Sequence, residues 1–512
     1  SRWIASIALL GAVACLGVVV LSGLAGTASA ANGATVIDDC TVIDESGTYE
    51  LDGPITDVND SRMIGGSDNR ATCIDVRASD VVIDGNGHVF DSADPGTFSE
   101  QRGIRVNGTV EARENVTVRD VTLTDWPRAV WVRNASDVTV ENIDVRVREE
   151  SIPRGMIGVA LGRFSEVSDS AVRNSTFEDY YSAIDGGEEN ITVRNNVVEG
   201  EIDVGGANVT VVNNEITAFS DASEGALTVG GIEGTISGNT IEDGTFDVGG
   251  SNLSVRNNTV SNLTTREFAM QVDGDGHEVR NNTIASNERG LLLVGSEHRL
   301  RDNEVRNNWE NVHLGVEQGV GQVGVSDFGS LDVDTSNTVD GEPIRLLHGV
   351  TDRTFTNADT GYLAVTNSSG VTVRGITLTN NSDGLFLYNV SDTTVEGATF
   401  RENGVGIEAA GGTDVTIKNA TVSDNRRQGI VESAGEVGVS GLAVSNSTIT
   451  GNGESGVYSL GPDLRAIGNE ITDNGEGIAT AGDNATILGN DVSSNAGDGI
   501  NVEGSNVTVR AN

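Results

Sequence analysis

Three ladders of residues on one period predict an all-β fold, a parallel β-helix solenoid of about 18 coils with roughly 22 residues each. A Gly followed by an apolar residue recurs at Gly384-Leu385, Gly406-Ile407, Gly429-Ile430, Gly456-Val457, Gly477-Ile478 and Gly499-Ile500. Asn381, Asn403, Asn425, Asn452, Asn474 and Asn495 keep step, as do Leu378, Phe400, Val422, Ile449, Ile471 and Val492. Between the turns, apolar and polar residues alternate, as in Val371-Thr372-Val373 and Leu385-Phe386-Leu387, and period two means strand. Short strands bounded by Gly, Asn, Asp and Ser need turns with left-handed backbone angles, which these residues tolerate. Gly is 66 of 512, nearly twice the usual ~7%.

From the amino terminus, residues 1–30 read as a signal peptide. Ile4 to Leu24 is apolar, Arg2 precedes it, and Ala28-Ser29-Ala30 fits a cleavage site. Cys15 lies inside the apolar run rather than at its end, which argues against lipidation. In the exported chain Cys40 and Cys73 are expected to form a disulfide, worth about 3–4 kcal/mol on the chain-entropy model.

Residues 31–100 hold the amino-terminal cap and first coils, including Val81-Val82-Ile83-Asp84-Gly85-Asn86-Gly87. Residues 101–323 form a first block, marked by Asn196, Asn214, Asn239, Asn258, Asn282 and Asn303. Such Asn columns are structural: identical side chains stack and hydrogen-bond along the solenoid. Residues 324–360 break the rhythm and read as a junction or short hairpin excursion. Residues 361–512 form a second block, which stops in mid-phrase at Asn506-Val507-Thr508-Val509 without a cap, as a truncated product would. Leucine-rich repeats share the period, but their Leu-x-x-Leu-x-Leu phrase is missing.

The net charge is −44, and Lys418 is the one Lys. This excludes binding nucleic acid by phosphate neutralisation. Self-repulsion on this scale is screened in molar salt, where the Debye length is ~3 Å, so the protein is expected to work in brine. Asn-x-Ser/Thr sequons such as Asn115, Asn190 and Asn506 permit glycosylation after export, but the same triplet is turn-then-strand grammar here.

The phrases Asn337-Thr338-Val339-Asp340-Gly341-Glu342-Pro343-Ile344, Gly361-Tyr362-Leu363-Ala364-Val365-Thr366-Asn367 and Val371-Thr372-Val373-Arg374-Gly375-Ile376 resemble the NosD-like β-helix proteins of archaeal surfaces and bacterial periplasms. Cys40 to Asp44 and Asp84 to His88 resemble the start of haloarchaeal members. The resemblance implies right-handed coiling, a pectin-lyase-like fold and an extracytoplasmic place, with no membrane span once the signal is removed. NosD itself is associated with copper-enzyme maturation. Here three Met, and His at 88, 277, 298, 313 and 348, give no clustered soft or imidazole site, and each His reads as lone and exposed.

Aligning the coils puts Ile104/Val106, Val130/Val132, Ile202/Val204, Phe246/Val248, Val312/Leu314 and Leu385/Leu387 inward. The residues between them form one outward column: Arg105, Trp131, Asp203, Asp247, His313 and Phe386, continued by Asp185, Thr228, Gln271, Glu408 and Tyr458. Aromatic plates with carboxylates along a rod suit a polysaccharide or cell-surface glycan. Asp185 and Asp203, on adjacent coils, suit glycoside hydrolysis or Ca²⁺. No other cofactor is expected. A non-catalytic surface scaffold is the leading reading. A lyase, hydrolase or epimerase, or a copper-related accessory factor, are the alternatives.

Overall fold

The computed structural model describes residues 33–59, 61–65, 71–93, 101–148, 155–162, 165–219, 225–315, 328–356, 358–433 and 439–512. The expected signal peptide, Cys15 and part of the expected junction lie outside these residues. The rest is an all-β parallel solenoid of about 17 turns. Its one helical element among the described residues is a 3-10 turn at Phe328–Ser330.

A regular coil contributes three short strands, and in some coils two of them run together, as in Val197–Val212. Phe268–Val272, Glu278–Arg280 and Thr283–Ala285 lie directly beneath Arg289–Leu293, Arg299–Arg301 and Glu304–Arg306, all parallel. Alternation decides what goes inside: Met270, Val272, Leu291 and Leu293 are buried in one continuous core. At the corners Asn281, Asp302 and Asn307 take positive φ, near +54°, where a short polar side chain costs least. The sequon residues Asn115, Asn190 and Asn506 occupy such corners too.

The two regular ladders have separate physical causes. A Cβ at Gly406 would sit 2.5 Å from the Gly429 carbonyl oxygen, and one at Gly477 would sit 2.2 Å from that of Gly499. Only Gly lets successive coils approach there. The Asn ladder is a hydrogen-bond chain. Asn214 Nδ2 donates to Asn239 Oδ1 (2.9 Å) and back to the Val193 carbonyl (3.1 Å), while Asn239 Oδ1 also accepts the Asn214 N–H (3.0 Å). The same pattern recurs from Asn425 to Asn452 and Asn474.

Cys40 and Cys73 are joined by a disulfide across 33 residues, tying the first coil to the second. Strand Thr41–Ile43 pairs with Thr72–Val76 beside it.

The solenoid is two stacks. Strand Glu342–His348 turns back antiparallel on Thr338–Val339, pairing Val339 with Glu342, and then begins a new parallel stack through Tyr362–Thr366. It does not pair with Glu310–Leu314, the last such strand of the first stack. Buried side chains accordingly fall into two large clusters, the second running from Leu347 to Ile487.

His277 and His298 correct the expectation of lone exposed imidazoles. Both are fully buried and stack with ring centroids 5.1 Å apart. The Nδ1 of each accepts a backbone N–H, from Leu253 and His277 respectively, and each Nε2 meets a carbonyl, Asp273 or Val294. They form a corner ladder like the Asn columns, one coil apart. That arrangement uses the neutral ring, and burial holds both pKa values below the ordinary imidazole range.

Candidate functional site

Strand register places the outward residues of the first stack in one continuous column. Asp75 lies beside Arg105, then come Trp131, Ala160, Asp185, Asp203, Thr228, Asp247, Gln271, Leu292 and His313, one per coil. Phe386 does not follow His313. It belongs to a second column, Ala364, Phe386, Glu408, Val431, Tyr458, Ala479 and Asn501. The single column expected from sequence is therefore two, because the reversal at Val339–Glu342 restarts the stack.

The expected aromatic plates are not open faces. Trp131 is only 6% exposed, with the guanidinium groups of Arg102 and Arg128 at 5.2 and 4.3 Å from its ring. Phe386 is 3% exposed because Phe328 crosses it at 5.7 Å. Their neighbours on the outer surface fill the stacking positions. Arg105 is likewise committed, with two hydrogen bonds of 2.8 and 2.9 Å to the buried Asp75 carboxylate. Of the expected residues Asp203 alone is exposed, and Asp185, Asp247, Gln271, His313, Glu408 and Tyr458 are half-buried. Burial, with Glu267 nearby, raises the Asp247 pKa against the opposing Thr245 hydrogen bond.

The most unusual electrostatics lie where the stacks meet. His313 Nδ1 is 2.8 Å from Asp383 Oδ2, and Asp383 is fully buried. Glu408, on the coil after Asp383, adjoins the same carboxylate. Asp383 Oδ1 has no permanent donor among the described residues. Two adjoining carboxyls cannot both ionise there, so one holds a proton. Burial and Asp383 push the Glu408 pKa well above the carboxylate range, so Glu408 is the one of the two that favours the proton. Burial acts to raise Asp383 as well, but His313, Arg427 and the bond from Glu408 outweigh it and hold Asp383 ionised. The Tyr362 hydroxyl is buried beside the pair without a partner among the described residues.

The sequence pointed to His313 and Glu408 through their column positions. It missed Asp383 and Tyr362, which occupy the start of the strand, ahead of the alternating stretch. Among the described residues no group of three or more His, Cys, Asp or Glu is placed to hold a metal, and no helix is long and apolar enough to cross a membrane.

The family model described as right handed beta helix region matches residues 55–216, 189–338, 332–463 and 437–512. No curated protein sequence matches. Among solved structures the chain is similar to the mannuronan C-5 epimerase A-module of Azotobacter vinelandii (14% identity, 91% of each chain, TM-score 0.21). It is also similar to an exopolygalacturonase of Thermotoga maritima (12% identity, 74% of this chain and 79% of that, TM-score 0.23). A third is a tailspike protein of E. coli bacteriophage HK620 in complex with a pentasaccharide (14% identity, 91% of this chain and 74% of that, TM-score 0.28). Superposition this poor carries nothing about activity.

Proposed function

We propose that this chain, which belongs to the right-handed β-helix family, is an exported, NosD-like surface rod of haloarchaeal type that holds a polysaccharide along its first column without cleaving it. The observation that carries this reading is the run Asp185, Asp203, Thr228, Asp247 and Gln271. It sets one hydrogen-bonding side chain on each successive coil, with a repeat near the ~4.8 Å strand spacing. A regular line of this kind matches an extended polymer better than a compact metabolite. A carboxylate has about four acceptor sites, so it can accept sugar hydroxyls in addition to its protein partners. The grip is polar rather than aromatic, since Trp131 and Phe386 are covered.

The test is binding of the intact protein to a panel of acidic and neutral polysaccharides in molar salt. Asp203→Ala and Gln271→Ala are expected to weaken binding several-fold. Equal binding by wild type and both variants would remove the column from the account.

One observation favours a second reading, a carbohydrate-active enzyme: a protonated Glu408 beside an ionised Asp383 is an acid next to a base. New reducing or unsaturated ends that vanish in Glu408→Gln would establish it. Copper retained in stoichiometric amount after desalting would instead support the copper-accessory role that the NosD resemblance implies.

A further inference from the structure

A groove of about 580 Å³ lies at the turns between the stacks, within the ~300–1,000 Å³ usual for ligand sites. First-stack residues Leu263, Thr264, Ser286, Asn307 and Trp309 line it, and Asn380 closes it from the second stack. Most of its lining thus comes from the first stack, with the second stack adding one side.

Trp309 is 51% exposed and is the only aromatic among the large, exposed apolar side chains of the described residues. A lone exposed apolar side chain needs no explanation. This one has a charged neighbour against its ring. Its backbone N–H donates to the Asn287 carbonyl at 3.1 Å. The Arg426 guanidinium lies over the ring and is itself fixed by Glu288 at 2.6 Å and Glu310 at 3.7 Å. One face of the indole is thus covered, and the exposed remainder borders the groove.

Of the charges near the groove, Glu288 and Glu310 both face Arg426, and Arg266 lies exposed near that guanidinium. The ladder amides Asn287 and Asn308 bond each other at 2.9 Å. What the groove offers a ligand is an aromatic plate, two hydroxyls (Thr264, Ser286) and two amides (Asn307, Asn380). An aromatic plate takes the C–H face of a pyranose, while hydroxyls and amides meet its edge, and no charge is required of the ligand. We propose that this groove binds a neutral pyranose, as a single residue or a chain end, at a site separate from the outward column.

The test titrates the intact protein in molar KCl with neutral gluco- and manno-oligosaccharides, by calorimetry and saturation-transfer NMR. Wild type is expected to bind at least one of them, with saturation transfer to the pyranose C–H protons. Trp309→Ala is expected to lose at least tenfold in affinity. Thr264→Arg, which fills the groove from an exposed turn, is expected to lose as much, and it guards against a folding defect in the first variant. Val36→Ser, at an exposed position in the amino-terminal strand, is expected to bind these sugars like wild type. No binding by wild type, or unchanged affinity in both groove variants, would overturn the proposal. Loss confined to Asp203→Ala would leave the column reading standing and remove this one.

Discussion

His313 and Asp383 are 70 residues apart in the chain, yet they share a 2.8 Å hydrogen bond across the break between the two stacks. That contact keeps an ionised carboxylate in a fully buried position. It also sets the state of Glu408, because the charge on Asp383 is one of the two main causes of the raised Glu408 pKa. Asp383→Asn is therefore expected to lower the Glu408 pKa while leaving it above the ordinary value, since burial persists. Carboxyl ¹³C titration reads this directly, and an unmoved Glu408 would contradict the coupling.

Glu432 points into the second stack, 0% exposed, against the Ser459 hydroxyl. Burial raises its pKa to about 7, against the opposing bonds from Ser459 and the Gly461 N–H. The folded state resists losing this proton, so Glu432 costs stability progressively as pH rises from its unfolded value near 4.5 to about 7. Glu432→Gln, which keeps the shape without the charge, is expected to stabilise the protein by up to roughly 3 kcal/mol above pH 7 and very little at pH 4.5. Denaturant midpoints at the two pH values check this.

The His277–His298 pair acts with the opposite sign. Both rings are neutral in the fold and their pKa values are lowered, so below about pH 6.5 the unfolded chain takes protons that the fold does not. Their contribution is intact above that pH and is lost as pH falls. Because Glu432 relaxes over the same range, the comparison is between wild type and a His277→Gln/His298→Gln double variant. The stability difference between them is expected to shrink from pH 7 to pH 5.

Asn239 sits in the middle of the longest buried amide ladder. Asn239→Ala leaves two donors of Asn214 and the Val211 carbonyl unmatched. At about 1–3 kcal/mol for each buried orphan group, a loss of at least about 3 kcal/mol is expected. The exposed ladder is a control: Asn281, bonded to Asn257 at 2.7 Å, sits at φ +53°, which Gly adopts easily. Asn281→Gly is expected to cost under about 1 kcal/mol. Equal losses in the two variants would mean that burial does not set the value of these ladders.

With a net charge of −44, the thermal midpoint is expected to rise between dilute and molar KCl. A flat response would argue against a protein built for brine.

The coil was legible in the sequence because each repeat encodes it locally. Alternation at Leu385-Phe386-Leu387 sorts inside from outside, Gly406 is required by the carbonyl of the next coil, and Asn403 bonds its counterparts one period away. The column followed from the same alternation, and strand register aligns its members from Arg105 to His313. A break over residues 324–360 was legible as lost rhythm, but the way the chain restarts was not. It depends on Glu342 turning back to pair with Val339 instead of climbing onto the Glu310 strand, a choice made by long-range packing with no periodic signal. Only that tertiary event brings His313 to Asp383, lays Phe328 over Phe386 and opens the groove at Trp309. The repeat determined the rod, and the one place where the repeat fails decided where its buried charges and its groove lie.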